Sequence, residues 1–359
     1  MRLKTLVRPL LLIAATAAAP VFAQAARPAA PAAPAPATQK AVIDRAMLNV
    51  FKALPTRFED PKNPITPEKV ELGRMLYFEN RLSKNHDVSC NSCHDLNKYG
   101  VDGKPFSPGH KKQLGGRNSP TVYNAGGHIL QFWDGRAPNL EEQAKGPILN
   151  PVEMAMPSEA RVVETLKSIP GYVTAFQKAF PGEADPVTYN NVGKAIGAFE
   201  RQLVTPSRFD KYLAGDENAI TEAEKVGLSK FLGQGCQTCH NGAAIGGSLQ
   251  KLGLVVPFES KDQGRFDLTK QESDRMIFRV PTLRNVTKTA PYFHDGSVKD
   301  VQTAVKLMAQ HQFGKQINDE DVKHIVTFLD SLTGELPKSY IAKPKLPASG
   351  PKTPKPDPS

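Results

Sequence analysis

The chain has 4 cysteines, and two short phrases use them all: Cys90-Asn91-Ser92-Cys93-His94 and Cys236-Gln237-Thr238-Cys239-His240. Two thiols at this spacing, with a histidine directly after the second, suit covalent haem attachment. The sulfurs form thioethers with the porphyrin vinyl groups, and the neighbouring imidazole reaches the iron. Two disulfides or a zinc site are the competing uses of four cysteines in an exported chain. A zinc ribbon sets its Cys-x-x-Cys pairs about 15–20 residues apart, whereas here the first phrase ends at His94 and the second begins at Cys236. A thioredoxin-type dithiol calls for one such motif between a strand and a helix, not two that each run into histidine. The expected cofactors are therefore two covalently bound haems of the c type, one on Cys90, Cys93 and His94 and the other on Cys236, Cys239 and His240.

Helices must position these phrases. Thr66-Pro67-Glu68-Lys69-Val70-Glu71-Leu72 precedes the first, and Thr221-Glu222-Ala223-Glu224-Lys225-Val226-Gly227-Leu228 the second, which reads as an internal duplication. Thr221 and Glu224 make a capping box, and Thr66 caps with Pro67 at the first helical position. Behind Thr188, the residues Val192, Ile196, Phe199 and Leu203 share a helical face that should stop before Pro206. Asn318 caps an acidic first turn, Val322, Ile325, Val326 and Leu329 form one face, and Gly334 is expected to close that helix. No alternating strand pattern is evident. The expected fold is all-α, with two cytochrome c-like haem domains, 41–210 and 211–336, joined near residues 205–220.

Arg2, Lys4 and Arg8 stand around an apolar run that ends in small residues, so 1–23 reads as a secretory signal peptide cleaved after Ala23. Residues 24–40 are almost wholly Ala and Pro and read as a mobile linker. Lys, Pro and Ser dominate 337–359, which is expected to form a disordered tail. No later apolar run is long enough for a membrane span. The formal net charge of +10 falls once the signal and its cations leave. It is spread without a basic block or an aromatic platform, which argues against nucleic acid as a partner.

From about residue 66 to 334 the chain resembles the bacterial di-haem cytochrome c peroxidases. The resemblance rests on both haem phrases and on others in order: Leu82-Ser83, Gly109-His110, Arg117-Asn118-Ser119-Pro120-Thr121, Gln131-Phe132-Trp133-Asp134-Gly135-Arg136, Asn150-Pro151-Val152-Glu153-Met154, Pro281-Thr282-Leu283-Arg284-Asn285 and Pro291-Tyr292-Phe293-His294-Asp295-Gly296. It implies reduction of hydrogen peroxide to water in the periplasm, with electrons from a small donor protein, a cytochrome c or a cupredoxin. The haem on His94 would be the peroxidatic one, with His110 at the position of a removable distal ligand. The haem on His240 would accept the electrons, with Met308 as its sixth ligand. Glu153 would be the acid/base group, Gln143 a polar residue of the same pocket, Phe132 part of its lining, and Trp133 the bridge between haems. A calcium ion would be held by the Asn118 side chain and the carbonyls of Thr289 and Pro291, and a homodimer is the family's common assembly.

Several of these residues have a plainer reading of their own. Met308 shares a helical face with Val301 and Val305, which fits core packing as well as ligation, although a thioether ligand would raise a haem potential. Met276 is its rival and reads as packing. His110 lies in a loop punctuated by Pro108, Gly109, Gly115 and Gly116, where an exposed histidine would also be ordinary. Glu153, between Val152 and Met154, is either a surface acid or a partly buried one with a raised pKa suited to acid/base work. Trp133 could be core alone. His86, His128, His311 and His324 read as structural or surface residues, and His294 as near the second haem without a role. Two other functions remain: a di-haem enzyme of the same superfamily oxidising another substrate, and a non-enzymatic electron carrier. Members that oxidise protein side chains carry Tyr where this chain has Met308, and a carrier needs neither Glu153 nor a removable His110.

Overall fold

The structure is a computed structural model and describes Ala41 and residues 43–359; the expected signal peptide, 1–23, and linker, 24–40, lie outside the described residues. The first half carries α1 (Pro67–Tyr77), α2 (Cys90–Cys93), α3 (Leu140–Leu149), α4 (Glu159–Lys167), α5 (Pro170–Ala179) and α6 (Tyr189–Glu200). The second carries α7 (Arg208–Leu213), α8 (Glu222–Gln234), α9 (Phe266–Thr269), α10 (Val301–Phe313) and α11 (Asp319–Asp330). A two-stranded antiparallel ribbon, β1 (Leu249–Lys251) with β2 (Ile277–Arg279), sets Gln250 opposite Phe278. The fold is thus largely helical rather than all-α. Three-residue strands are too short to leave an alternation that sequence could show.

Capping follows the sequence closely. The Thr66 hydroxyl accepts from the Lys69 N–H at 3.2 Å, and Thr221 and Glu224 complete a reciprocal box. Thr188 caps α6 and Asn318 caps α11. The end of α11 differs: it stops at Asp330 with Ser331 as C-cap. Gly334 instead bridges Ser207, where a Cβ would lie 2.1 Å from the Thr205 carbonyl oxygen. Backbone contact, not helix termination, requires that glycine.

Two apolar cores form. In the first, α1 crosses α6, and Leu72, Leu76, Ile196 and Phe199 are fully buried; each such side chain contributes about 1.5–3 kcal/mol. In the second, α8 packs on α11 through Leu228, Phe231, Phe328 and Leu329. The duplication is visible in how these pairs touch. A Cβ on Gly73 would lie 1.9 Å from the Ala195 carbonyl oxygen, and one on Gly227 would lie 2.0 Å from that of His324. Each copy therefore presents a glycine where a second helix's backbone passes.

The cores do not divide the chain in sequence order, so the expected boundaries are crossed at both ends. Leu48 and Phe51 belong to the second core, and Leu336, Tyr340 and Ile341 to the first. Residues 342–359, expected to be disordered, lie against the first half instead. Arg81 donates to the Pro347 carbonyl and the Ser349 hydroxyl, both at 2.8 Å, and the Asp357 N–H donates to the Lys84 carbonyl at 3.0 Å. The segment has little apolar surface of its own, but its prolines lower the entropy lost on docking, and fixed donors elsewhere satisfy its backbone.

Candidate active site

Each haem phrase opens a cavity, and local hydrogen bonds fix the orientation of its histidine. Ser89 and Ser92 cap α2 reciprocally, and the Tyr77 hydroxyl, from α1, donates to the His94 carbonyl at 2.7 Å. The His94 Nδ1–H donates to the Pro120 carbonyl at 2.9 Å. A carbonyl only accepts, so the proton sits on Nδ1 and the Nε2 lone pair is free for a metal. In the second phrase the His240 Nδ1–H bonds the Ile245 carbonyl at 3.4 Å in the same sense. Burial holds both imidazoles below their usual pKa, His240 at about 4, so both stay neutral and able to ligate.

The thiols fit haem on electrostatic grounds as well. Burial pushes Cys93 up to about 11 and Cys236 up to about 12, and Cys90 higher still. Such surroundings penalise a thiolate, the form zinc requires, but not a neutral thioether. Among the described residues, no group of three or more His, Cys, Asp or Glu is arranged to hold a metal ion.

The first cavity, of about 510 Å³, is lined by Cys90, Cys93 and His94, and also by Phe132, Trp133, Gln143 and Glu153. The second, of about 210 Å³, is lined by Cys236, Cys239 and His240 and by Met308 from α10. Met276 does not line it; it packs with Trp133 and Phe278. Asn118, Thr289 and Pro291 line the second cavity together. Trp133 lines both, and its Nε1–H donates to the Asn118 carbonyl at 2.8 Å.

Glu153 follows α3 in a tight loop, and its carboxyl is pushed above the ordinary value of 4.5 by burial, against smaller opposing effects of Arg136 and Asn150. Its backbone carbonyl accepts the His110 N–H at 2.7 Å. Gly109 permits this approach, since a Cβ there would lie 2.2 Å from the Val152 carbonyl oxygen. The His110 side chain is not brought to the cavity with the others. It is buried, and its Nε2–H donates to the Ser359 backbone oxygen at 3.1 Å.

Two residues that sequence reasoning passed over, Arg279 and Glu200, stand in the site, and with them His128, read as structural or surface, and His294, read as near the second haem without a role. Arg279 is buried and held at about 10 by desolvation; it bonds the His128 ring and the Phe132 carbonyl. His128 and Arg279 both line the two cavities. No carboxylate ion-pairs with Arg279 among the described residues, and haem carboxylates would balance that buried charge. Glu200, at the end of α6, is buried on the first cavity, pushed up to about 8 by burial and by Glu141, with Oε2 unpartnered. His294 is the counterpart of Trp133. Phe132-Trp133-Asp134-Gly135 recurs as Phe293-His294-Asp295-Gly296, with φ of 65° at Phe132 and 68° at Phe293. The Trp133 carbonyl accepts from the Arg279 N–H and that of His294 from the Asn118 N–H, both at 2.7 Å. The two rings meet edge to face, 6.4 Å between centroids. The repeated phrase was the available signal for His294; a lone Arg, His or Glu within apolar sequence gives none.

The chain is similar to known proteins along most of its length. The family described as "Di-haem cytochrome c peroxidase" matches residues 67–218. The chain is 48% identical over 315 residues to a cytochrome c551 peroxidase of Pseudomonas aeruginosa, covering 86% of this chain and 90% of the relative. It is 47% identical over 305 residues to the cytochrome c551 peroxidase of Nitrosomonas europaea, covering 83% and 90%. Among solved structures, a MauG-like protein associated with microbial copper homeostasis superposes with a TM-score of 0.72 at 27% identity, over 82% of this chain and 97% of that one.

Proposed function

Because the chain belongs to the di-haem cytochrome c peroxidase family, we infer that it is a cytochrome c peroxidase, an oxidoreductase that reduces hydrogen peroxide with electrons from a small cytochrome. The observation that carries the reading is an asymmetry. Both cavities hold a thiol pair and an oriented imidazole, but among the described residues carboxyl groups line only the larger, the half-buried Glu153 among them, and Gln143 lines it too.

Haem, when bound at both sites, supplies two one-electron centres, one of which offers peroxide an iron. Cys90, Cys93 and His94 would hold that one, and Cys236, Cys239, His240 and Met308 the other. Reduction of one peroxide consumes two electrons and two protons and yields two waters. The Glu153 carboxylate takes a proton from the near oxygen of the incoming peroxide and returns it to the departing one, and its raised pKa suits both transfers. Gln143 orients the peroxide by hydrogen bonding. Trp133, fixed on the Asn118 carbonyl in the wall common to both cavities, gives the electrons their route.

The reading extends to a calcium ion between Asn118, Thr289 and Pro291. The Asn118 Nδ2 donates to the carbonyls of Lys104, at 2.8 Å, and Pro105, at 3.4 Å, which leaves its Oδ1 for a hard cation. The signal-like pattern at 1–23 supports export to the periplasm. An electron carrier would leave Glu153 and its raised pKa in the larger cavity unexplained, and Met308 stands where protein-oxidising members have Tyr. The test mixes mature holoprotein with hydrogen peroxide and reduced cytochrome c. Two cytochromes should be oxidised per peroxide; no peroxide-dependent oxidation would overturn the peroxidase reading.

A further inference from the structure

We propose that residues 342–359 form a strap that parks His110 away from the larger cavity, with the Ser359 backbone oxygen as the parking site. The proposal rests on the reading of His110 as a removable ligand and adds what decides its position.

The strap leaves the first core after the buried Ile341 and is held at several places. Arg81, itself fixed by Glu79 at 2.6 Å, binds Pro347 and Ser349. The Ser168 hydroxyl donates to that of Thr353 at 3.0 Å. The Asp357 N–H binds the Lys84 carbonyl, and the Lys84 Nζ donates to the Ser359 backbone oxygen at 2.9 Å and to its hydroxyl at 3.1 Å. Lys84 thereby fixes the oxygen that His110 uses. Lys84 is tied to the catalytic loop too, its N–H donating to the Met154 carbonyl at 2.8 Å.

Parking and ligation exclude each other. The Ser359 oxygen accepts, so the proton is on Nε2, and a ring nitrogen that bears hydrogen has no lone pair for iron. The loop backbone is clamped on Glu153 through the His110 N–H, so the choice falls to the imidazole. The strap biases that choice toward an open iron before any reduction. Removing it takes away one hydrogen bond from the parked state, which corresponds to a shift of about 3- to 10-fold in the ratio of parked to ligated protein.

The test uses the fully oxidised holoprotein, full-length and lacking residues 346–359, each with and without His110→Gly. Electron paramagnetic resonance reads the spin state of the haem on His94, and the rate of cyanide binding reads access to its iron. Deletion should increase the low-spin share and slow cyanide binding by about 3- to 10-fold. Lys84→Ala should move both in the same direction by less, and His110→Gly should abolish both effects. Lys84→Ala also serves if the deleted protein folds poorly. A deletion without effect, in a background where His110→Gly still changes the deleted protein, overturns the strap and leaves His110 a ligand. If neither change alters the spectrum, the ligand reading fails and the proposal with it. Amide exchange of residues 350–359 at free-chain rates would also overturn it.

Discussion

Replacing Glu153 with Gln removes a proton carrier while preserving shape, and the surroundings allow the size of the effect to be bounded. The side chain lines the larger cavity half-buried, and its carboxyl is raised by desolvation. The hydrogen bond that ties the His110 loop to this residue uses the backbone carbonyl, so the substitution leaves that loop in place. Loss of a positioned acid/base group costs about 10²- to 10⁴-fold in rate, or roughly 3–5.5 kcal/mol of transition-state stabilisation. Steady-state turnover of peroxide with reduced cytochrome c measures this, and reductive titration of the haem on His240 should remain normal. The pH dependence adds a second check. The active form is the carboxylate, so the acid limb of kcat/KM should lie above 4.5, and Glu153→Gln should abolish it. Stability moves oppositely. A folded-state pKa raised above the unfolded value gives stability that is complete below the unfolded pKa and is lost as pH rises through the folded one. Glu153→Gln should therefore be at least as stable as the parent at pH 8. Near-normal turnover, or an unchanged acid limb, would show that another group carries the proton.

Other expected outcomes are as direct. The mature protein should have the mass of the chain from about Gln24 plus two haems, and a haem-free mass would refute the reading of both cysteine phrases. Met308→His should lower the potential of the second haem, since a thioether favours ferrous iron more than an imidazole does; two unchanged potentials in redox titration would return Met308 to core packing. Gly73→Ala should destabilise by about 1–3 kcal/mol or more, because its Cβ would meet the Ala195 backbone, whereas Gly233→Ala, with nothing within 4 Å, should stabilise α8 by about 0.5–1 kcal/mol. Equal melting temperatures for the two variants would disprove this account of the α1–α6 crossing. Chelation of calcium should lower the thermal midpoint by roughly 5 °C, equivalent to about 2.7 kcal/mol for an ion at a hundred times its Kd, and an unchanged midpoint would argue against an ion at Asn118.

The covalent chemistry was legible in one dimension. Haem attachment needs two thiols and an imidazole within five consecutive residues, so Cys90 to His94 and Cys236 to His240 declare it without any fold. Helix starts were legible for the same reason: a cap such as Thr66, Thr188, Thr221 or Asn318 acts on an N–H three residues away. What depends on distant backbone was not. Gly334 looked like a helix end and is a contact with Thr205, and the ribbon of β1 and β2 is too short to show a period. Residues 342–359 looked unable to order because they bring few apolar groups of their own, yet Arg81 and Lys84, far away in sequence, supply the donors. The asymmetry of the two sites is tertiary as well. Attachment phrases of the same pattern become different cavities because the loop after α3 brings Glu153 to one and α10 brings Met308 to the other. Burial then acts on groups that sequence left ordinary, raising the pKa of Glu200 and lowering that of Arg279 in the shared wall. Desolvation is a property of the packed chain, since it depends on every neighbour that excludes water and not on the residue or its spacing.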